Sequence, residues 1–441
     1  MSPKLLLINP TMMDGGRRRP HGGGTTTLEP LALAAVAALT PPHWDVRIVD
    51  EVLEEIPADF APDLVGLSSL TVTAPRAYKV AQRYRDEGVP VVMGGVHATL
   101  MPEEAGRFVD VVFQGEAEGA WPQVIRDLET GSLRPRYLGR AETLAGMPIP
   151  RREPYGRRYF VQLVSGSRGC RYRCEFCSLW KMEAGRFRMR PPREVMDELE
   201  TVSSRRPILF TDENVYGDRE WALALFQGMV DRGIRRRYSV QASMDIADDE
   251  QVLDAMSRSG CLILSVGFES LSETSLRQMR KGVNLRIGVP HYREKVQRIH
   301  AHGMLSAGTF VFGFDGDGPD VFERTADFVL EAGIDLAHFA ILTPLPGTDL
   351  FDRLAREDRL LYTRFPADYA RYDQVTAVFR PHRMTPEQLE EGLRRTAQSL
   401  GSLGVAARRA WGTWRTIKDP LVAVLALVWN RTGLFGRIMA G

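Results

Sequence analysis

Along the first 130 positions, apolar residues gather in runs of three to five: Leu5–Ile8, Val46–Val49, Leu64–Leu67, Val89–Met93 and Val111–Phe113. Runs this short, bounded by polar and turn residues, predict strands buried on both faces. Between them, Glu29–Leu39, Ala74–Glu87, Pro102–Phe108 and Glu116–Leu128 predict helices. Five strands alternating with crossover helices imply a parallel sheet, Rossmann-like or flavodoxin-like. Ligands of such sheets bind beyond the carboxyl ends of the strands. Those ends carry Asn9-Pro10-Thr11, Ser68-Ser69-Leu70-Thr71, Gly94-Gly95-Val96-His97 and Gly115-Glu116.

Residues 136–158 carry Pro148, Pro150 and Pro154 without sustained periodicity and are expected to be a linker after a first domain at 1–135. The alternation then restarts. Strands are predicted near Phe160–Val164, Ile208–Thr211, Ser239–Ala242, Leu262–Val266, Ser306–Phe312 and Ala337–Leu342, with helices such as Arg193–Ser203, Trp221–Arg232 and Asp249–Ser257. Six βα units predict a partial (β/α)6 barrel over 159–350, whose loops at the strand ends would carry chemistry. Residues 351–441 are expected to be a small, mainly helical region, clearest at Thr385–Leu400 with Pro386 in the first turn. The fold class is therefore α/β with a helical C-terminal region.

Composition changes this picture little. The 441 residues are 44% apolar and 26% charged, ordinary for a globular chain. A net charge of +1 gives no global field for nucleic acid or an anionic membrane. The basic residues are nearly all Arg, and only six are Lys. Met1–Pro10 lacks a cleavage site, so a cytoplasmic protein without a secretory signal is expected. Leu421–Trp429 is too short for the ~20 apolar residues of a membrane span. It predicts a helix packed on the body, with membrane-surface contact as the other reading.

Four cysteines cannot form a disulfide framework in so long a chain. Cys261 reads as a small buried hydrophobe. The other three form Cys170-Arg-Tyr-Arg-Cys174-Glu-Phe-Cys177, just after the first barrel strand. Thiolates suit iron–sulfur clusters, and a cubane takes four ligands, so three cysteines leave one iron open. A structural zinc site wants four ligands, and no second Cys/His pair lies at finger spacing.

This C-x3-C-x2-C run, with the aromatic Phe176 before the last Cys, resembles the radical S-adenosylmethionine (SAM) superfamily. The resemblance implies a [4Fe–4S] cluster on Cys170, Cys174 and Cys177 that chelates and reductively cleaves SAM to a 5′-deoxyadenosyl radical. It also implies an electron donor of the flavodoxin or ferredoxin type. On the same resemblance, Thr211, Asp212 and Glu213 would contact the methionine amino group. Gln241, Ser243 and Glu269 would lie near the ribose and carboxylate, and Pro344, in Thr343–Thr348, beside the adenine. Any of these could instead be ordinary turn chemistry.

Gly94-Gly95-Val96-His97-Ala98-Thr99, followed by Pro102-Glu103-Glu104, resembles the cobalamin-binding domain that precedes many such enzymes. The Asp-x-His-x-x-Gly signature for a histidine on cobalt is absent, so bound cobalamin is left open. His97 could face the corrin or make a structural hydrogen bond. Gly15-Gly16 and Gly22-Gly23-Gly24 could admit a large ligand. The loop Asp212–Asp218 and the compact C-terminal region resemble aminoglycoside dehydratases. That resemblance implies dehydration of an aminosugar such as paromamine, with an NAD(P)H-dependent reductase as partner; cobalamin-dependent methylation is the alternative. Glu213 or Glu269 could act as base, with Asp212, Asp245 and Asp315 nearby at strand ends. Tyr216 could donate a hydrogen atom to a substrate radical, or simply pack. No appended RNA-binding region supports a nucleic-acid substrate.

Overall fold

The computed structural model describes residues 2–14, 17–18, 28–155 and 159–432. The Gly15-Gly16 and Gly22-Gly23-Gly24 stretches lie outside the described residues. The chain divides into two compact units. The first is residues 1–160 together with 345–347 and 362–372; the second is the remainder.

The first unit is built on six parallel strands: β1 (Lys4–Asn9), β2 (Asp45–Asp50), β3 (Leu64–Ser68), β4 (Val91–Gly94), β5 (Val111–Gly115) and β6 (Arg136–Gly139). Their order is β2-β1-β3-β4-β5-β6. The order reverses between β1 and β3, the switch point where open α/β sheets take ligands. Leu5, Leu7, Ile48, Leu64 and Val92 pack against helix residues Leu33, Ala37, Trp121 and Val124. Strand β6 falls inside the segment expected as linker. Its exposed–buried alternation marks an edge strand, and Arg136-Tyr-Leu-Gly offers no apolar run to reveal it. The helix expected over Pro102–Phe108 is short, Pro102–Ala105, and a separate helix, Gly95–Leu100, precedes it.

The second unit holds β7 (Gln162–Val164), β8 (Ile208–Phe210), β9 (Tyr238–Ala242), β10 (Cys261–Glu269), β11 (Leu305–Phe312) and β12 (Leu336–Ile341). These form one parallel sheet in sequential order, as an open barrel requires. Phe210, Phe226, Tyr238, Leu264 and Phe268 lie in its core. All six strands send their carboxyl ends to one mouth. Ser167–Gly169 pairs with Phe187–Met189 as a small antiparallel hairpin beside the cysteines.

Three C-terminal helices follow: Pro386–Leu400, Leu403–Ile417 and Pro420–Thr432. Thr385 and Gln388 cap the first reciprocally. The last buries Val422 and Ala426 against Ile263, Leu305 and Leu336. Among the described residues no helix is long and apolar enough to cross a membrane. Asp335, 3% exposed and just before β12, fastens this end. Its carboxylate accepts from Thr413 (2.7 Å) and the Ser306 amide (3.0 Å), and meets His300 at 2.8 Å. Its carbonyl accepts from Arg409 (3.1 Å) and Asn430 (3.0 Å). Removing this carboxylate strands several buried donors. Asp335→Ala is expected to cost about 3 kcal/mol locally, read as faster hydrogen exchange across 403–432 with exchange in β8 and β9 unchanged.

Candidate active site

The three cysteines sit in the loop that leaves β7, at the mouth of the second unit. All are free thiols. Burial raises all three, and Cys177 is pushed up to about 12. Left alone such thiols stay protonated and bind metal poorly. The compensating charge is Lys281. Its field lowers all three thiols, while Glu269 and Cys170 oppose it at Cys174. Burial disfavours the charge on Lys281, but Glu269 and then Cys174 and Cys177 hold it above the ordinary lysine range. Its Nζ donates to Glu269 Oε1 at 2.6 Å. Among the described residues no three His, Cys, Asp or Glu side chains converge on a single metal ion. In a cubane each thiolate binds a different iron, and this donor set of three thiols and one cation fits that arrangement.

Lys281 was not legible as a site residue. Its neighbours Arg280 and Gly282 give no motif, and its rarity, one of six lysines, is the only signal the chain offers. Glu269 closes β10 with φ of 61°, a left-handed conformation uncommon for a non-glycine residue, at a register shift in the β10–β11 pairing. The strained residue is the one that meets Lys281, so the bulge aims a carboxylate at the cluster loop.

The other expected contacts divide. Asp212 is fully buried and accepts from the Gly166 amide (3.0 Å) and Ser167 Oγ (2.5 Å), holding the loop that leads to Cys170; burial lifts it to about 6. Glu213 accepts from the Gly169 amide at 3.1 Å and stands near Cys170, and burial raises it to about 7. Thr211 continues the β8 ladder onto Val164. Gln241 accepts from the Val215 amide (2.9 Å), and the Ser243 amide donates to Asn214 Oδ1 (2.9 Å). The Tyr216 amide donates to the same oxygen at 3.3 Å, which fixes the amide's orientation. Asn214 Nδ2 is thereby left buried without a partner at the strand ends. A buried orphan donor beside Ser243 is a fit for a polar ligand such as SAM. Phe176 packs edge-on to Phe314, ring centres 6.5 Å apart, and Pro344 is buried after β12. Tyr216 donates to Asp249 at 2.9 Å, and Arg219 pairs with that carboxylate.

A network unseen in the sequence grips the cysteine loop from behind. Arg353 forks onto Glu175 at 2.8 and 3.3 Å and reaches Asp315 at 3.0 Å, which Arg359 meets at 2.6 Å. Asp245 accepts from Arg171 (3.1 Å) and Tyr172 (3.2 Å). Of the carboxylates expected to draw a cationic aminosugar to the mouth, Asp315 and Glu269 are held by cations, Asp245 meets Arg171 through one oxygen, Asp212 is held by Gly166 and Ser167, and Glu213 accepts from the Gly169 amide.

In the first unit, His97 is wholly buried. Its Nε2 lies 2.9 Å from Tyr78 Oη and 3.4 Å from Glu104, with the Tyr369 ring edge-on at 4.9 Å. It makes the structural hydrogen bond rather than facing a ligand. Burial would raise Glu104, but His97, Tyr369 and Tyr78 hold it below its ordinary value. The β3 and β4 ends offer Ser68, Ser69, Gly94 and Gly95, with Leu70 exposed beside them. A Cβ on Gly95 (φ 90°) would stand 2.7 Å from the Ser69 amide, so only glycine lets the two loops close. This small, polar floor fits a broad cofactor held by backbone and hydroxyl groups without a histidine on its metal.

An open barrel whose mouth presents three thiols and a lysine, fused to a switch-point α/β domain, defines an enzyme of the radical SAM type. Comparison with known proteins agrees. Residues 25–125 match the B12 binding domain model and 164–329 the radical SAM superfamily model. The bacteriochlorophyllide d C-12(1)-methyltransferase of Chlorobaculum tepidum is 31% identical over 82% of this chain and 80% of its own length. The hopanoid C-2 methylase of Rhodopseudomonas palustris is 29% identical over 76% and 66%. The structure of the radical SAM methyltransferase TsrM from Kitasatospora setae, with cobalamin and a [4Fe–4S] cluster bound, covers 89% of this chain and 85% of its own, with a TM-score of 0.66 at 17% identity. The chain belongs to the radical SAM superfamily, in the branch that carries a B12-binding domain, and the cofactors of that branch are a [4Fe–4S] cluster, SAM and cobalamin. The aminoglycoside dehydratase reading is corrected: the relatives named above are methyltransferases, and Asp315 and Glu269 are held by cations of the chain itself. Tyr216, expected as a hydrogen donor to a substrate radical, gives its hydroxyl hydrogen to Asp249 here.

Two outcomes check this site. Lys281→Met should lower iron retained on anaerobic reconstitution several-fold, measured as iron per chain, while Lys281→Arg keeps most of it. In the cluster-free chain, Glu213 and Asp212 are raised above their unfolded values, so the folded form binds more protons between about pH 4.5 and 7. Stability therefore falls as pH rises through that window and levels off above it. Glu213→Gln should flatten the fall in thermal melts.

Proposed function

We propose that this chain is a cobalamin-dependent radical SAM methyltransferase that places a methyl group on a carbon of a small organic molecule. The observation that carries this reading is the likeness to a methyltransferase across four-fifths of both chains, with both domains included. When bound, the cluster with SAM supplies hydrogen abstraction from carbon, and cobalamin supplies the methyl group.

The chain's own residues set the conditions. Lys281 works against the burial that favours the protonated form of the three sulfurs, and Glu269 accepts a hydrogen bond from it. The amide of Asn214 offers its free donor to the nucleotide, and Glu213, raised to about 7, can hold or release a proton beside Cys170. With Asp315 and Glu269 held by cations of the chain, the mouth favours a substrate without positive charge. Two of the relatives are named as a bacteriochlorophyllide d methyltransferase and a hopanoid methylase.

The test is anaerobic turnover with reconstituted cluster, cobalamin, a low-potential reductant and methyl-deuterated SAM, over uncharged polycyclic and tetrapyrrole substrates. One SAM is consumed as radical source and one as methyl source for each product. The expected result is 5′-deoxyadenosine and S-adenosylhomocysteine in similar amounts, the label in the product, and no product from Cys174→Ala. Water loss from substrate with no label incorporated would overturn the reading.

A further inference from the structure

The last two helices use one side to grip the barrel and leave another bare. Leu403 is 62% exposed, Trp411 60% and Leu421 60%, and Trp414, Val424 and Val428 are exposed with them. On Leu403–Ile417 the apolar positions 403, 411 and 414 recur at helical spacing, and on Pro420–Thr432 positions 421, 424 and 428 do the same. Trp411 and Trp414 stack with ring centres 4.7 Å apart. Arg408, Arg415, Lys418 and Arg431 stand exposed on the same two helices, and among the described residues none of them pairs with a carboxylate. Asp419, the one acid from residue 401 onward, is engaged by Arg237 at 2.7 Å.

Charge is segregated to this end. From residue 401 onward there are six basic residues and one acid, in a chain of net charge +1, so everything before it is net acidic. Tryptophan and aliphatic side chains flanked by unpaired Arg and Lys are the chemistry of a membrane interface, where rings sit at headgroup level and cations meet anionic lipid. Neither helix, at 15 and 13 residues, can span a bilayer, so contact would be peripheral. A second copy of the chain is a poorer occupant, since a two-fold interface would set this basic patch against itself. The platform is also fixed, because Asp335 binds Thr413, Arg409 and Asn430 from both helices.

We propose that this helix pair is a docking surface for an anionic lipid bilayer. The surface lies at the opposite ends of the barrel strands from the cysteines, so docking leaves the mouth of that unit uncovered. Its evidence is independent of methyl transfer, and its test reads binding alone.

The reconstituted full chain is sedimented with phosphatidylcholine vesicles, with and without phosphatidylglycerol. Binding is expected to the anionic vesicles, about tenfold weaker to neutral ones, and to fall with added salt. Trp411→Ser with Trp414→Ser, and separately Arg408→Glu with Arg415→Glu, should each weaken it about tenfold while 5′-deoxyadenosine release from SAM is unchanged. The salt and lipid series on the unaltered chain decides the matter even where a variant folds poorly. No sedimentation, binding indifferent to lipid charge, or a concentration-dependent dimer that the tryptophan variant abolishes would overturn the proposal.

Discussion

Burying three sulfurs in one loop sets a problem in electrostatics that the second unit is arranged to solve. Desolvation favours the neutral thiol, and only the thiolate binds iron. Against this stands the cation Lys281, whose field opposes the rise at all three sulfurs and whose own charge burial disfavours and Glu269 supports. Glu269 reaches it because β10 ends in a bulge with a left-handed residue. The loop is steadied from two further sides, by Asp212 on the Gly166 and Ser167 backbone and by Arg353 on Glu175. Lys281 with Glu269 and Arg353 with Glu175 are ion pairs, and Asp212, without a cation, is held by neutral donors and raised by burial to about 6.

The same arrangement explains the selectivity argued for the mouth. Acids at strand ends look like binding groups when only their positions are known. Once their partners are seen, most prove to hold the scaffold. Among the described residues the Asn214 amide, its oxygen oriented by two backbone donors, keeps a buried NH2 group without a partner.

Much of the fold was legible because it rests on apolar runs of strand length. Leu5–Ile8, Leu64–Leu67 and Ser306–Phe312 all became strands, within a residue or two at the ends. Edge strand β6 was not, since an exposed strand of alternating pattern and four residues lacks such a run. The cysteine spacing was equally plain, because local sequence alone sets it. Lys281, Arg353 and the enclosure of His97 depend on contacts between distant segments and have no local signature. The reaction outcome was the least legible feature. Dehydration and methylation begin from the same hydrogen abstraction and call on the same three cysteines, so no motif separates them; likeness to a methyltransferase over 82% of the chain supports the methyl-transfer proposal.

The first compact unit recruits residues 345–347 and 362–372, far downstream in sequence, and Tyr369 from that segment donates to Glu104 at 2.5 Å and lies against His97. The cobalamin-type domain is thus a discontinuous module. A fragment ending near residue 160, or a chimera joined there to a foreign barrel, would expose an acid and an imidazole that the native chain keeps dry. Exchange of this domain among relatives would have to carry two separate pieces of chain together.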